Sequence, residues 1–475
     1  MVKSKFPAAG QAADFIREDE IRELLAQGRQ AAGSEVRAII AKAGKATGLS
    51  LAETAVLLQN GDGLLQEEIF AAAREVKLKI YGKRLVLFAP LYVSDHCVNN
   101  CLYCGYRRDN SFRRCRLTQE ELAEEVRILE SLGHKRLALE AGEHPAECTL
   151  DYILECIRTI YSLKFDNGSI RRINVNIAAA TVEDYARLKE AQIGTYILFQ
   201  ETYHRETYGK MHPDGPKSDY DWHTLAHHRA MQAGIDDVGF GVLFGLYDYK
   251  FEVLAMLMHA QSLERDFGVG PHTISVPRLR PAAGMELAQF PYLVRDGEFA
   301  GVVAVLRLAV PYTGLILSTR ERPALRDRLL DLGVSQLSAG SCTGVGGYRL
   351  EESKRGAESR TAQFNVEDLR SPDQVLQSIC RAGYLPSFCT ACYRQGRTGD
   401  RFMSLAKSGK IQEVCQPNAI LTFKEYLLDY GSPETRQAGE EAIKLHLAEI
   451  GKDKVRALTG ERLQRIERGE RDLYI

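Results

Sequence analysis

Two groups of three cysteines have spacings that suit metal chemistry. Cys97, Cys101 and Cys104 form a Cys-x3-Cys-x2-Cys run inside APLYVSDHCVNNCLYCGYRRDN (89–110). Thiolate is the protein ligand of iron–sulfur clusters. Three thiolates for four irons leave one iron open to a small molecule. A structural zinc site takes four protein ligands, and the neighbouring His96 could complete one, so zinc is the alternative. Far along the chain Cys389-Thr-Ala-Cys392 is followed, after 22 residues, by Cys415. This second triplet again suggests an open-iron cluster. A zinc reading would need His446 or Cys380 as its fourth ligand. Cys115, Cys148, Cys156, Cys342 and Cys380 lack ligand spacing and read as small hydrophobes. His227 and His228 are adjacent in a helical pattern, so they face different ways and suit no shared metal.

The elements around these residues change rhythm twice. Residues 11–81 carry apolar positions at helical spacing, as in DFIREDEIRELLAQ and LLQEEIFAAAREVKLKIYG. From residue 84 short apolar runs alternate with amphipathic helices. The expected strands are 84–90, 135–143, 172–179, 194–201, 237–245, 272–279, 314–319 and 335–341. Eight such strands argue for an α/β protein whose parallel sheet closes as a TIM-type (β/α)8 barrel; an open doubly wound sheet is the alternative. Reactive residues then belong at the carboxyl ends of the strands. After about residue 365 the strand rhythm stops and a mostly helical tail follows. The expected organisation is a helical N-terminal extension (1–82), the barrel (83–365) and a helical C-terminal domain (366–475) bearing the second triplet.

Composition removes several classes. The chain has 475 residues, 62 basic and 63 acidic, with a net charge of −1, which gives no footprint for nucleic acid. No window approaches the roughly 18 uninterrupted apolar residues of a membrane span, and MVKSKFPAAGQAADFIREDE lacks the apolar core of a secretory signal. The expectation is a cytoplasmic protein whose cysteines are thiols or metal ligands.

The first triplet, placed after the first strand and with Tyr103 just before its last cysteine, resembles the motif of the radical S-adenosylmethionine superfamily. The resemblance implies a 4Fe-4S cluster on Cys97, Cys101 and Cys104. Its open iron would chelate S-adenosylmethionine, with Tyr103 near the adenine and a 5′-deoxyadenosyl radical as the product of one-electron reduction. AGEHP (141–145) is similar to the superfamily's Gly-Gly-Glu motif, which implies that Gly142 and Glu143 receive the methionine amino group. Gln200 and Glu201 fall where members hold the ribose. Gly239 and Gly241 give a glycine-rich fifth strand that lets backbone approach the adenine.

With its second triplet, and over nearly its whole length, the chain resembles the HydG family, the tyrosine lyases of FeFe-hydrogenase maturation. FQETYHRETYGKMHP, GPHTISVPR and VPYTGLILSTRE carry the likeness. The resemblance implies cleavage of the Cα–Cβ bond of L-tyrosine to p-cresol and dehydroglycine. Dehydroglycine would become carbon monoxide and cyanide on an additional iron with bound L-cysteine at a second 4Fe-4S cluster held by Cys389, Cys392 and Cys415. His272 is implied as a ligand of that iron, though a core histidine at a strand start is the plainer reading. Arg320, with Ser318, is the candidate clamp for the tyrosine carboxylate, because guanidinium pairs with carboxylate bidentately; a surface ion pair with Glu321 or Glu286 is its alternative. Implied partners are an electron donor such as ferredoxin or flavodoxin and other hydrogenase maturation proteins. The related ThiH-type tyrosine lyases of thiazole synthesis lack the second cluster. A non-catalytic iron–sulfur carrier is the reading from another class, and it would have no use for Tyr103 or AGEHP.

Overall fold

The structure, a computed structural model, describes residues 12–353 and 361–475. Residues 1–11, part of the segment read above as lacking a signal sequence, lie outside the described residues. Four helices, Glu18–Gly28, Gly33–Ala43, Leu51–Gln59 and Gly63–Tyr81, precede the sheet. Local chemistry sets their starts: Ser50 and Glu53 form a capping box, and Asp62 accepts from the Leu64 and Leu65 amides. Gly82, at φ 62°, turns the chain from the last of these helices towards the first strand.

Eight parallel strands then close on themselves: β1 (Arg84–Ser94), β2 (Arg136–Ala141), β3 (Arg172–Asn176), β4 (Tyr196–Ile197), β5 (Val238–Gly241), β6 (Thr273–Ser275), β7 (Gly314–Leu317) and β8 (Gln336–Ser338). β1 pairs with both β2 and β8, so the sheet is a barrel and the open-sheet alternative falls away. Both strand faces are buried, which is why these segments read as nearly continuous apolar runs.

The tail is mostly helical, but it contains a strand that the sequence pattern does not announce. β9 (Leu385–Ser387) pairs in parallel with the start of β1, Arg84↔Leu385 to Val86↔Ser387. It is three residues long and contains Pro386, so no alternation marks it. A proline is tolerated there because β9 is an edge strand. β1 serves three partners in turn: β9 along its first residues, β8 from Val86 to Phe88, and β2 from Ala89 onward. This register sends Cys97, beyond the end of β1, to the C-terminal mouth of the barrel. Cys389, two residues after β9, lies at the N-terminal mouth. At roughly 3.3 Å per residue, the eleven-residue β1 separates the two mouths by on the order of 30 Å. No helix among the described residues is long and apolar enough to cross a membrane.

Candidate functional site

At the C-terminal mouth one cavity is lined by Cys97, Cys101, Cys104, Tyr103, Gly142, Glu143, Glu201, Ser318 and Arg320. The cysteine loop is fixed by the loop after β2. The Gly142 amide donates to the Ser94 carbonyl at 3.0 Å, and the Val98 amide to the Glu143 carbonyl at 2.7 Å. A Cβ on Gly142 would lie 2.3 Å from the His96 carbonyl oxygen, so only glycine permits this approach. Asn99 Nδ2 donates to the Glu143 carboxylate at 2.6 Å. Burial pushes the Glu143 carboxyl up, and likewise pushes the Cys104 thiol up to about 11 and the Cys101 thiol higher still. A metal bound to those thiols would have to displace their protons.

Tyr103 packs among Leu243, Leu246 and Leu279. Its hydroxyl lies 2.7 Å from His212 Nε2. His212 Nδ1 lies 2.8 Å from the Tyr208 carbonyl, which can only accept, so Nε2 is the acceptor and the Tyr103 hydroxyl donates. Glu201 sits at φ 69°, a left-handed backbone conformation that turns its side chain beyond the end of β4. Its carboxylate pairs with Lys217 Nζ at 2.8 Å. Lys217 escapes sequence reasoning because it stands outside every motif; Asn99 and His212 lie inside motif segments, but nothing in their spacing marks them out from their neighbours.

Three expected residues are placed elsewhere. Gln200 donates to Thr224 Oγ1 at 2.9 Å in buried packing and does not line the cavity. Gly239 and Gly241 do not line it either. A Cβ at these positions would strike Thr273 Oγ1 at 2.4 Å and the Ser275 carbonyl at 2.3 Å, so their smallness serves the β5–β6 packing.

Arg320 faces the cavity. Glu321 turns the other way and is held by Arg278 and Arg280. Among the described residues Arg320 has no carboxylate within ion-pair distance, and its guanidinium stacks on the Phe364 ring at 3.2 Å. Its charge is thus directed at the cavity without a fixed counter-ion. Ser318 Oγ accepts from the Arg320 amide at 3.4 Å.

The N-terminal mouth is lined differently. Arg84, Arg136 and Arg172 are the first residues of β1, β2 and β3, and all three are buried. The Cys389 carbonyl accepts from Arg136 Nη2 at 3.1 Å, and the Tyr393 ring lies 3.4 Å beneath the Arg172 guanidinium. Cys392 packs against the small apolar cluster of Phe402, Ile411 and Cys415. His272 opens on the same place: its ring is 4.6 Å from that of Phe402, and its Nδ1 is 3.6 Å from Asp237 Oδ1. Burial lowers the His272 pKa and keeps the imidazole neutral, the form that binds metal. Arg136 Nε, Arg172 Nε, Asp237 Oδ2, His272 Nδ1 and Thr390 Oγ1 are all buried without a hydrogen-bond partner. Such a concentration of unsatisfied polar atoms suits a site that binds something further. Among the described residues, no three His, Cys, Asp or Glu side chains crowd close enough to hold a single ion. Elsewhere, His227 Nε2 meets the Gly239 carbonyl and His228 Nε2 meets Ser262 Oγ, both buried and neutral.

Known proteins supply a context for this geometry. Residues 91–259 match the Radical SAM superfamily, and residues 275–385 match the Biotin and Thiamin Synthesis associated domain. The 2-iminoacetate synthase of Escherichia coli (strain K12) is 31% identical over 322 residues, 67% of this chain and 81% of the relative. A crystal structure of HydG, a maturase of the [FeFe]-hydrogenase, is 59% identical and covers 98% of this chain and 100% of its own, with a TM-score of 0.94. The HydG maturase from Carboxydothermus hydrogenoformans is 41% identical, covering 94% of this chain and 97% of its own, with a TM-score of 0.80.

Proposed function

Because the chain belongs to the family of radical S-adenosylmethionine enzymes acting on tyrosine that includes the HydG maturases, we propose that it carries out two steps at the two mouths of one barrel. At the C-terminal mouth L-tyrosine is cleaved to p-cresol and dehydroglycine. At the N-terminal mouth dehydroglycine gives carbon monoxide and cyanide, captured on an iron–cysteine unit destined for the FeFe-hydrogenase H-cluster. The observation that carries this reading is the register of β1, which puts one cysteine triplet beyond its end and the other beside its start.

When bound at Cys97, Cys101 and Cys104, the cluster and S-adenosylmethionine supply a carbon-centred radical. The chain's own groups do the rest. Gly142 admits the close loop contact, and Glu143, held by Asn99, receives the methionine ammonium. The Tyr103 ring is the flat neighbour for adenine, and the Glu201–Lys217 pair borders the ribose. Arg320, lacking an acid partner, takes the tyrosine carboxylate with help from Ser318. At the far mouth Cys389, Cys392 and Cys415 would hold a second 4Fe-4S cluster, and the neutral imidazole of His272 would ligate the additional iron with its L-cysteine, its Nδ1 facing Asp237 at 3.6 Å. A ferredoxin or flavodoxin is the suitable electron donor, and other maturation proteins receive the product.

The test is an anaerobic iron count on reconstituted protein. About eight to nine irons per chain support two clusters plus an extra iron. A count near four, with p-cresol still formed, would instead make the chain a ThiH-type lyase.

A further inference from the structure

Glu140 is an ionisable group in the cavity that none of the roles above uses. It stands near the end of β2, in register with Tyr92 of β1 and Asn176 of β3, and all three line the cavity with Arg320. One carboxylate oxygen, Oε2, accepts from Asn176 Nδ2 at 2.6 Å. The charge that faces it is Arg320, from beyond β7. Tyr92 and Tyr106, the other ionisable neighbours, are kept protonated by burial. Among the described residues Glu140 has no ion-pair partner.

An α-amino acid whose carboxylate rests on Arg320 must put its ammonium a few ångströms away in the same cavity. The tyrosine-lyase resemblance implies that the deoxyadenosyl radical takes its hydrogen atom from the substrate's amino nitrogen; taken from an ammonium, it would leave a cationic radical in a poorly solvated space, whereas a neutral amine leaves a neutral one. A base close to that nitrogen is therefore required. We propose that Glu140 is this catalytic base, accepting a proton from the substrate ammonium before the radical step, with Asn176 as its positioning residue. The transfer is heterolytic: an N–H bond breaks, an O–H bond forms on Glu140, nitrogen keeps the electron pair, and no oxidant or reductant takes part. Burial pushes the Glu140 carboxyl up to about 8, near the range of an amino-acid ammonium, where proton exchange is efficient. The assignment rests on the tyrosine-lyase reading.

The experiment follows p-cresol formation against pH in the reconstituted enzyme, with tyrosine binding measured by equilibrium dialysis. Glu140→Gln should retain tyrosine yet form p-cresol about a hundredfold more slowly at neutral pH. Its acid-side limb should be replaced by a continuing rise as the free amine fraction grows. Asn176→Ala removes the hydrogen bond that favours the carboxylate, so the Glu140 pKa rises and the acid-side limb moves to higher pH. A pH profile of wild-type shape in Glu140→Gln, or an unmoved limb in Asn176→Ala, would overturn the proposal. Absence of p-cresol from the wild-type enzyme would instead strike the tyrosine-lyase reading.

Discussion

At the scale of single residues, Arg320 and His272 make the sharpest claims. If Arg320 clamps the tyrosine carboxylate as proposed, Arg320→Ala removes a charged, bidentate contact whose loss is expected to cost on the order of 2–5 kcal/mol of tyrosine binding. The KM for tyrosine should rise steeply, while slow uncoupled formation of deoxyadenosine persists; an unchanged KM would move the carboxylate site elsewhere. His272→Ala should lower occupancy of the additional iron without dismantling either four-iron cluster, because thiolates hold those. Full iron and full carbonyl product in that variant would make His272 a core histidine only. The cysteines stand out in the sequence because iron–sulfur chemistry uses one residue type repeatedly, five of the six here at short spacing and Cys415 following Cys392 after 22 residues. Arg320 is legible only in part. Its freedom from Glu321 depends on Arg278 and Arg280, more than 40 residues upstream, which no local pattern reveals.

Elements determine which of those residues can meet. Gly142 joins the end of β2 to the cysteine loop, and its missing Cβ is the condition for the contact. Gly142→Ala should displace the loop and depress deoxyadenosine formation about a hundredfold, the usual consequence of a misplacement near 1 Å. Iron at the second triplet should remain, so unchanged deoxyadenosine formation would show that the loop tolerates the clash. The eight barrel strands are readable from apolar runs, since burial on both faces imposes them. β9 is not readable, because three residues with a proline carry no period, yet it is the element that brings Cys389 to the barrel. The glycines of β5 show a second demand that sequence alone does not reveal. Their spacing suggests approach to a ligand, but Thr273 and Ser275 of β6 occupy the space a side chain would need.

Across the whole molecule, one barrel has a cysteine triplet at each mouth. Sequence order alone separates the triplets by some 285 positions and says nothing of where they meet the sheet. The register of β1 with β2 and β9 supplies that. On the proposed function, radical generation and tyrosine cleavage need only the C-terminal mouth, whereas capture of carbon monoxide and cyanide needs the other. The most direct measurement is infrared spectroscopy alongside p-cresol analysis on the double variant Cys389→Ala, Cys392→Ala, after iron analysis has verified loss of the second cluster. A division of labour between the two mouths predicts that p-cresol still forms and that the iron-bound carbonyl bands disappear. Carbonyl bands of wild-type intensity in that variant would contradict it.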